Sequence, residues 1–448
     1  MVKSILMLIP LLAVPTYTVA GGEYTLIDLG TLGGPESAGR GINDSRQVTG
    51  VSHVTDTVRH AFVWDEDKGM QDLGTLGGTD SGGIAINNYG EVGGWSDFDG
   101  DTPYHAFHYD GTVMHDLGTL GGDFSIVFSM NDNDQLVGRA SLEEGYHAFL
   151  FDNDVMHDLG TLGGSASQGS GINAQGHIVG SSLIAGDTAN HAFFWDSSNG
   201  MQSIGTLGGN SSRALAINNF GQVAGTSEYS PTNNEYHVFL WDDVNGMQDL
   251  GGLDGGGGTA FAINDHAQIT GDSDGRAFIW DKEKGMRDLC VVTKCIDSGW
   301  TGLTIGRDIN DHGDIVGEGA INGVTHAFLA IAQEGLIVGI DVLPTKDVNT
   351  INMNNKGRLQ VAVLSTSNFH AYNEVNPDSV EFGPAGAVAT RYKVKDTNRD
   401  GLPDMKFYFK IRDTGIECGD TEATLIGETY EEVGFEGTDT IVTTGCGE

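Results

Sequence analysis

The run Asp28-Leu29-Gly30-Thr31-Leu32-Gly33-Gly34 decides the fold, because it returns. It begins again at Asp72, Asp116 and Asp158, recurs as Ser203-Ile204-Gly205-Thr206-Leu207-Gly208-Gly209, and survives in degraded form from Asp249 and Asp288. Successive starts lie 44, 44, 42, 45, 46 and 39 residues apart. A period of that length means a repeat architecture, in which each unit is one supersecondary piece that buries its apolar face against its neighbours. The same run accounts for much of the high glycine content, 68 residues of 448.

Each unit holds four short strand signals. The first ends in a repeated pair: Ile42-Asn43, Ile86-Asn87, Met130-Asn131, Ile172-Asn173, Ile217-Asn218, Ile263-Asn264 and Ile309-Asn310. A tight turn follows, with Gly90, Gly176, Gly221 and Gly313 at one fixed position and Asp134 standing there once. These residue types tolerate the positive φ that such turns need. The second strand is β-branched and is expected to end in Gly, as in Gln47-Val48-Thr49-Gly50. The third carries His-Ala-Phe and then an aromatic, and the fourth is the Asp-Leu-Gly-Thr-Leu run. Four strands in a unit of this length predict a propeller blade. A β-helix has shorter coils, and an α-solenoid would show a 3.6-residue period that is absent. The first-strand and third-strand signals each occur seven times, so seven blades are expected over 21–333. The repeats open on a spare fourth-type strand, Tyr24 to Leu32, and stop on a third-type strand, His326 to Ile331. Pairing the two would close the ring and leave no open edge.

The repeats resemble the HAF family of extracellular repeats, named for the tripeptide. The resemblance is carried by His60-Ala61-Phe62, His105-Ala106-Phe107, His147-Ala148-Phe149, His191-Ala192-Phe193 and His326-Ala327-Phe328, with the Gly-Thr-Leu-Gly-Gly runs in register. Val238 replaces Ala in the fifth unit and Arg276 replaces His in the sixth. The likeness spans Tyr24 to Ala332 and implies an exported bacterial protein without implying an activity.

The N-terminus fits export. Lys3 precedes an apolar run from Ile5 to Val14, and Thr18-Val19-Ala20 makes a small-residue cleavage site before Gly21. Residues 1–20 therefore read as a Sec-type signal peptide, and the run is too short for a transmembrane anchor. A secreted or periplasmic location follows. Cys290, Cys295, Cys418 and Cys446 are an even set in an exported chain, which predicts disulfides. Proximity favours Cys290–Cys295 and Cys418–Cys446; a zinc site is the weaker rival, because the spacings are not paired C-x-x-C.

The charge excludes some partners. With 62 acidic and 23 basic residues the net formal charge is −39, which repels nucleic acid and anionic lipid. The chain is expected to act as a monomer, with no membrane span.

Two loops between second and third strands break the repeat. Ser96 to Tyr104 offers Asp97, Asp99, Asp101 and Tyr104; Thr226 to Tyr236 offers Glu228, Tyr229, Glu235 and Tyr236. Acidic and aromatic side chains on one face suit a carbohydrate or a cation. The repeated His could form a metal-binding ring, but third strands lie away from a propeller axis, so one structural hydrogen bond per blade is the expectation. The repeated Asn reads as a turn residue bonding backbone.

Composition changes near Glu334, and 334–448 has the size of a small domain. Alternating runs such as Gly357 to Leu364 and Met405 to Ile411 predict strands and a β-sandwich. Between strands lies Asp396-Thr397-Asn398-Arg399-Asp400-Gly401-Leu402-Pro403-Asp404. Side-chain oxygens at positions 1, 3, 5 and 9, Gly at 6 and the Leu402 carbonyl at 7 follow the order of an EF-hand-type calcium (Ca2+) loop. The loop resembles those of dockerins and thrombospondin type 3 repeats, with Asp396, Asn398, Asp400, Leu402 and Asp404 as ligands; Phe407 stands where the acidic ligand at position 12 is usual.

The sequence thus predicts an all-β chain, a seven-bladed β-propeller followed by a small sandwich-like domain. Its expected function is non-enzymatic binding of an extracellular carbohydrate or protein. The rival is a propeller hydrolase or lyase acting on carbohydrate, with Asp99 and Glu228 as its first acid–base candidates. No nucleophile motif supports the rival.

Overall fold

A computed structural model describes residues 24–98, 103–232, 235–333, 336–344, 346, 348–366, 368–430 and 433–446. The expected signal peptide and the loop residues Asp99 and Asp101 lie outside the described residues. Among these residues no helix is long and apolar enough to cross a membrane. The chain divides into two compact units, Leu26–Ala332 and Gln333–Glu448 apart from a few N-terminal residues.

The first unit is a β-propeller. Blade 1 pairs Ser37–Ile42, Val48–His53, Arg59–Asp65 and Gly69–Asp72 in that order, each antiparallel to the next. The pattern repeats over 77–116, 125–158, 163–205, 212–251 and 259–288. One parallel bridge, Tyr146 to Ala166, joins blades 3 and 4. Blade 7 has Trp300–Ile309, Ile315–Ile321 and Val324–Ala332, and its outer place is taken by Tyr24–Asp28 from the other end of the chain.

Turn chemistry sets each blade. At the turn after the first strand, Gly90, Gly176, Gly221 and Gly313 have φ of 76–82°, as the residue types demand. Asp134, Arg46 and Ala267 take the same left-handed conformation at 57–60°. One expectation needs correcting. The second strand does not end at its Gly but continues past it, as in Val48–His53. The Gly is there because the first strand bulges opposite it. A Cβ on Gly50 would sit 2.0 Å from the Ala38 carbonyl oxygen, and one on Gly138 would sit 1.9 Å from that of Ile126.

Blades pack through the tripeptide. Its Phe is fully buried in every blade, from Phe62 to Phe328. Its Ala N–H donates to a Ser of the next blade's first strand, as Ala61 does to Ser81 at 2.8 Å. That Ser donates in turn to the Gly74 carbonyl at 2.6 Å. The aromatic after the tripeptide also bridges blades: Trp64 joins Val48 and Phe62 to Val316, Ala327 and Leu329.

In the second unit a five-stranded and a four-stranded sheet share one core, which includes Val361, Phe382, Phe407, Phe409 and Leu425. That is a sandwich-like domain. The disulfides are Cys290–Cys295, before the first strand of blade 7, and Cys418–Cys446 in the second unit.

Candidate functional site: the axis of the propeller

The axis has a repeated end and a varied middle. At the repeated end the Asn side chains hand hydrogen bonds around the ring. Asn43 donates to the Asn87 carbonyl at 2.9 Å, Asn264 to that of Asn310 at 2.9 Å, and Asn310 to that of Asn43 at 3.1 Å, which links the last blade to the first. The next residue forms a second ring: the Asp44 carboxylate accepts the Asp311 N–H, and the Asp311 carboxylate accepts that of Asp265. These acids are consumed in holding blades together.

Above them lies a cavity of about 580 Å³, a size that suits a small ligand. It is lined in all seven blades by the residue three before the repeated Asn: Arg40, Ile84, Phe128, Ser170, Leu215, Phe261 and Arg307. Its neighbours are mostly Gly or Ala, whereas this residue changes charge, size and polarity from blade to blade. The residue after the second-strand Gly is as varied. It is Val51, Trp95 and Arg139 in blades 1 to 3 and Glu318 in blade 7.

Electrostatics make the cavity asymmetric. Arg307 donates to Glu318 at 2.8 Å and lies 4.9 Å from the Phe261 ring centre. Arg59 is held by Asp80 at 2.9 Å and lies over Trp95 at 6.0 Å. Arg40 donates no hydrogen bond and forms no ion pair among the described residues. Burial, and then the neighbouring Arg307, hold its pKa below the ordinary value, while Glu318 opposes them. Beside them Asp308 stands where blades 2, 5 and 6 have Ala. Its two oxygens accept the Ile42 and Ile309 N–H groups at 2.9 Å, and burial pushes its pKa up to about 7.

The loops expected to carry the site are engaged elsewhere. Asp97 pairs across its hairpin with Tyr104 and accepts the Asp80 N–H at 3.1 Å. Tyr104 packs edge-on against Trp95. Glu228 is buried and accepts the Asn210 N–H and the Tyr236 hydroxyl, both at 2.8 Å, which lower its pKa. It fastens its own loop and is not placed as a free acid or base. Tyr229 donates to Glu235 at 2.5 Å and stacks on His237. The repeated His form no ring. Each bonds the Asp that opens the fourth-strand run, as His105 does Asp116 at 2.9 Å and His326 does Asp28 at 2.9 Å. His191 uses Ser203, and Arg276 reaches Asp288 at 3.4 Å. That Asp, and the cavity-lining position, were missed in the sequence; superposing the repeats and looking for the column that fails to repeat would have found the latter.

In the second unit Asp396 accepts the Arg399 and Gly401 N–H groups, Asn398 that of Asp400, and Asp400 that of Leu402. Asp404 is buried, accepting the Ser365 and Thr397 N–H groups and the Thr397 hydroxyl. The donors are hard oxygens of the kind calcium takes. Among the described residues no three His, Cys, Asp or Glu side chains are gathered to hold a metal ion.

The solved structures found are distant. TolB from Acinetobacter baumannii is similar at a TM-score of 0.37 and 10% identity, over 62% of this chain and 60% of TolB, so the chain spans three-fifths of that protein. The β-propeller domain of the trilobed protease from Pyrococcus furiosus is similar at 0.44 and 12%, over 68% of this chain and 95% of that domain. A gluconolactonase from Xanthomonas campestris is similar at 0.34 and 9%, over 70% and 91%. No family model and no curated sequence matches, so the HAF resemblance rests on the repeated residues alone.

Proposed function

We propose that this chain is an exported, non-enzymatic binding protein that takes a carbohydrate or a protein segment in the axial cavity of its propeller. One observation carries the reading. The residue three before the repeated Asn lines the cavity in every blade and is among those the repeat leaves free to vary. A scaffold that repeats everywhere except at its lining is built to present one asymmetric surface. The titratable groups that do repeat are occupied: His by Asp within a blade, Asp by backbone N–H across blades. Two disulfides support an exported life.

Calcium belongs to the same proposal. Asp396, Asn398, Asp400 and Asp404 with the Leu402 carbonyl are the residues that would hold it. Bound there, it neutralises three carboxylates that otherwise repel within nine residues. Binding to the folded state alone stabilises by mass action, about 2.7 kcal/mol at a hundredfold excess over Kd. In thermal melts of the full chain, the transition of residues 336–448 should rise in calcium relative to chelator, and Asp400→Ala should remove the rise.

A second reading, a carbohydrate hydrolase or lyase, draws on Asp308, a buried carboxyl in the cavity whose proton is retained up to about pH 7. Incubating the protein with a panel of acidic and neutral oligosaccharides separates the two. Binding without new products is expected; sustained release of shortened chains would establish the second reading.

A further inference from the structure

We infer that the axial cavity takes a hydroxylated ring acid, a uronic acid residue, with its carboxylate at Arg40 and Arg307 and its hydroxyls toward Gln168 and Ser170. The inference deepens the binding role proposed above and rests on it.

Among the described residues two guanidiniums at the cavity, Arg40 and Arg139, form no ion pair; Arg139 lies over the Phe124, Phe128 and Tyr146 rings and reaches the Gln168 side-chain oxygen at 3.5 Å, so it is held by these groups. Arg59 is matched by Asp80 and Arg307 by Glu318. Asp308 keeps its proton up to about pH 7, so in mildly acidic solution it offsets nothing. Arg40 remains, half-buried beside a second guanidinium and without a hydrogen bond or ion pair among the described residues. In a chain of net charge −39, two adjacent guanidiniums facing an open cavity are a costly arrangement unless an anion completes it. Arginine pairs with carboxylate through two parallel N–H···O bonds, the geometry that suits a planar carboxylate over a point anion.

The rest of the lining defines what carries the carboxylate. Leu215, and the Phe128 ring on the side away from the Arg139 guanidinium 5.8 Å from its centre, offer apolar surface suited to the C–H face of a sugar ring. Gln168 and Ser170 lie on blade 4, across the ring from blades 7 and 1. Gln168 donates to the Ser170 hydroxyl at 3.2 Å and its oxygen faces Arg139 at 3.5 Å, which leaves the second Gln168 N–H and the Ser170 O–H to meet hydroxyls. Arg307 is stacked on Phe261 and tied to Glu318, so its direction is set before a ligand arrives.

The test is calorimetric titration of the full chain at pH 6 with galacturonate, with short oligogalacturonides, and with galactose and benzoate as controls. The uronates are expected to bind, galactose at least tenfold more weakly. Arg40→Gln should weaken the uronates at least tenfold; because the Arg40 side chain forms no hydrogen bond or ion pair among the described residues, the variant should melt close to the parent. Arg40→Lys should recover part of the loss. Galacturonate binding unchanged in Arg40→Gln, or no uronate binding at millimolar concentration, would overturn the inference. Benzoate binding as tightly as the uronates would overturn the sugar assignment. If a neutral glycan or a protein binds instead, and Arg40→Gln leaves it untouched, this inference falls while the binding role stands. Cleavage of the oligogalacturonides would sink the non-enzymatic role itself.

Discussion

Two side chains, one basic and one acidic, lose stabilising effect in the same direction as pH rises. His326 bonds Asp28 at 2.9 Å, and that bond raises its pKa against the opposing effect of burial. The folded state therefore prefers protonated His326. This stabilisation is full below the unfolded value of 6.5 and fades as pH rises through the raised folded value. His326→Ala should cost about 1 kcal/mol at pH 5.5 and distinctly less at pH 9, measured by urea unfolding. Asp308 runs the same way over a lower range of pH. Burial raises its pKa from 3.8 to about 7, so its contribution is greatest below pH 3.8 and is lost as pH climbs to 7. Asp308→Ala, which installs the residue found in blades 2, 5 and 6, should lower stability near pH 4, where the Ile42 N–H loses its acceptor. That deficit should shrink by about 2 to 4 kcal/mol between pH 4 and 7. A constant deficit across that range would show that Asp308 does not carry a raised pKa.

At the scale of the strand, the bulge in each first strand and the Gly opposite it form one device. The bulge pushes a carbonyl toward the second strand, and only a residue without Cβ can lie there. Gly138→Ala should destabilise by about 1 to 3 kcal/mol or more, because the obstructing atom is backbone and cannot swing away. Gly302→Ala is the control. A Cβ there meets nothing within 4 Å, and its effect should stay within about 0.5 kcal/mol. Equal losses at the two positions, read from denaturant midpoints, would refute the packing account.

For the whole propeller, closure is the decisive event. Tyr24–Asp28 fills the outer place of the last blade; Leu29 donates to the Ala327 carbonyl at 3.0 Å, and Asp28 bonds His326. On the other side of that junction, Ala327 donates to Ser37 and Ile42 to Asp308. Removing residues 24–28 bares the edge of Val324–Ala332 and leaves that His unpartnered. The truncated chain should melt well below the parent and aggregate with rising concentration, followed by calorimetry and light scattering. An unchanged melting temperature would mean that the strand is an accessory and not a clasp.

The period of the Asp-Leu-Gly-Thr-Leu-Gly-Gly run, with its Ile-Asn and His-Ala-Phe companions, was sufficient to derive strands, turns, the propeller and the split end. Each of these depends on local signals that recur, and recurrence multiplies a weak signal. The two disulfide pairs were legible for a similar reason, since short separations left few choices. The site was not legible. Glu228 looked like a free acid because sequence does not reveal that Asn210 and Tyr236 fold back onto it. Arg40 and Arg307 stand in two repeats 267 residues apart, and nothing in the sequence joins them. Only closure of the ring makes blades 1 and 7 neighbours and brings those two guanidiniums to one wall. A repeat announces what every blade does alike; the cavity is made from what each does differently, and those differences acquire a common location only in three dimensions.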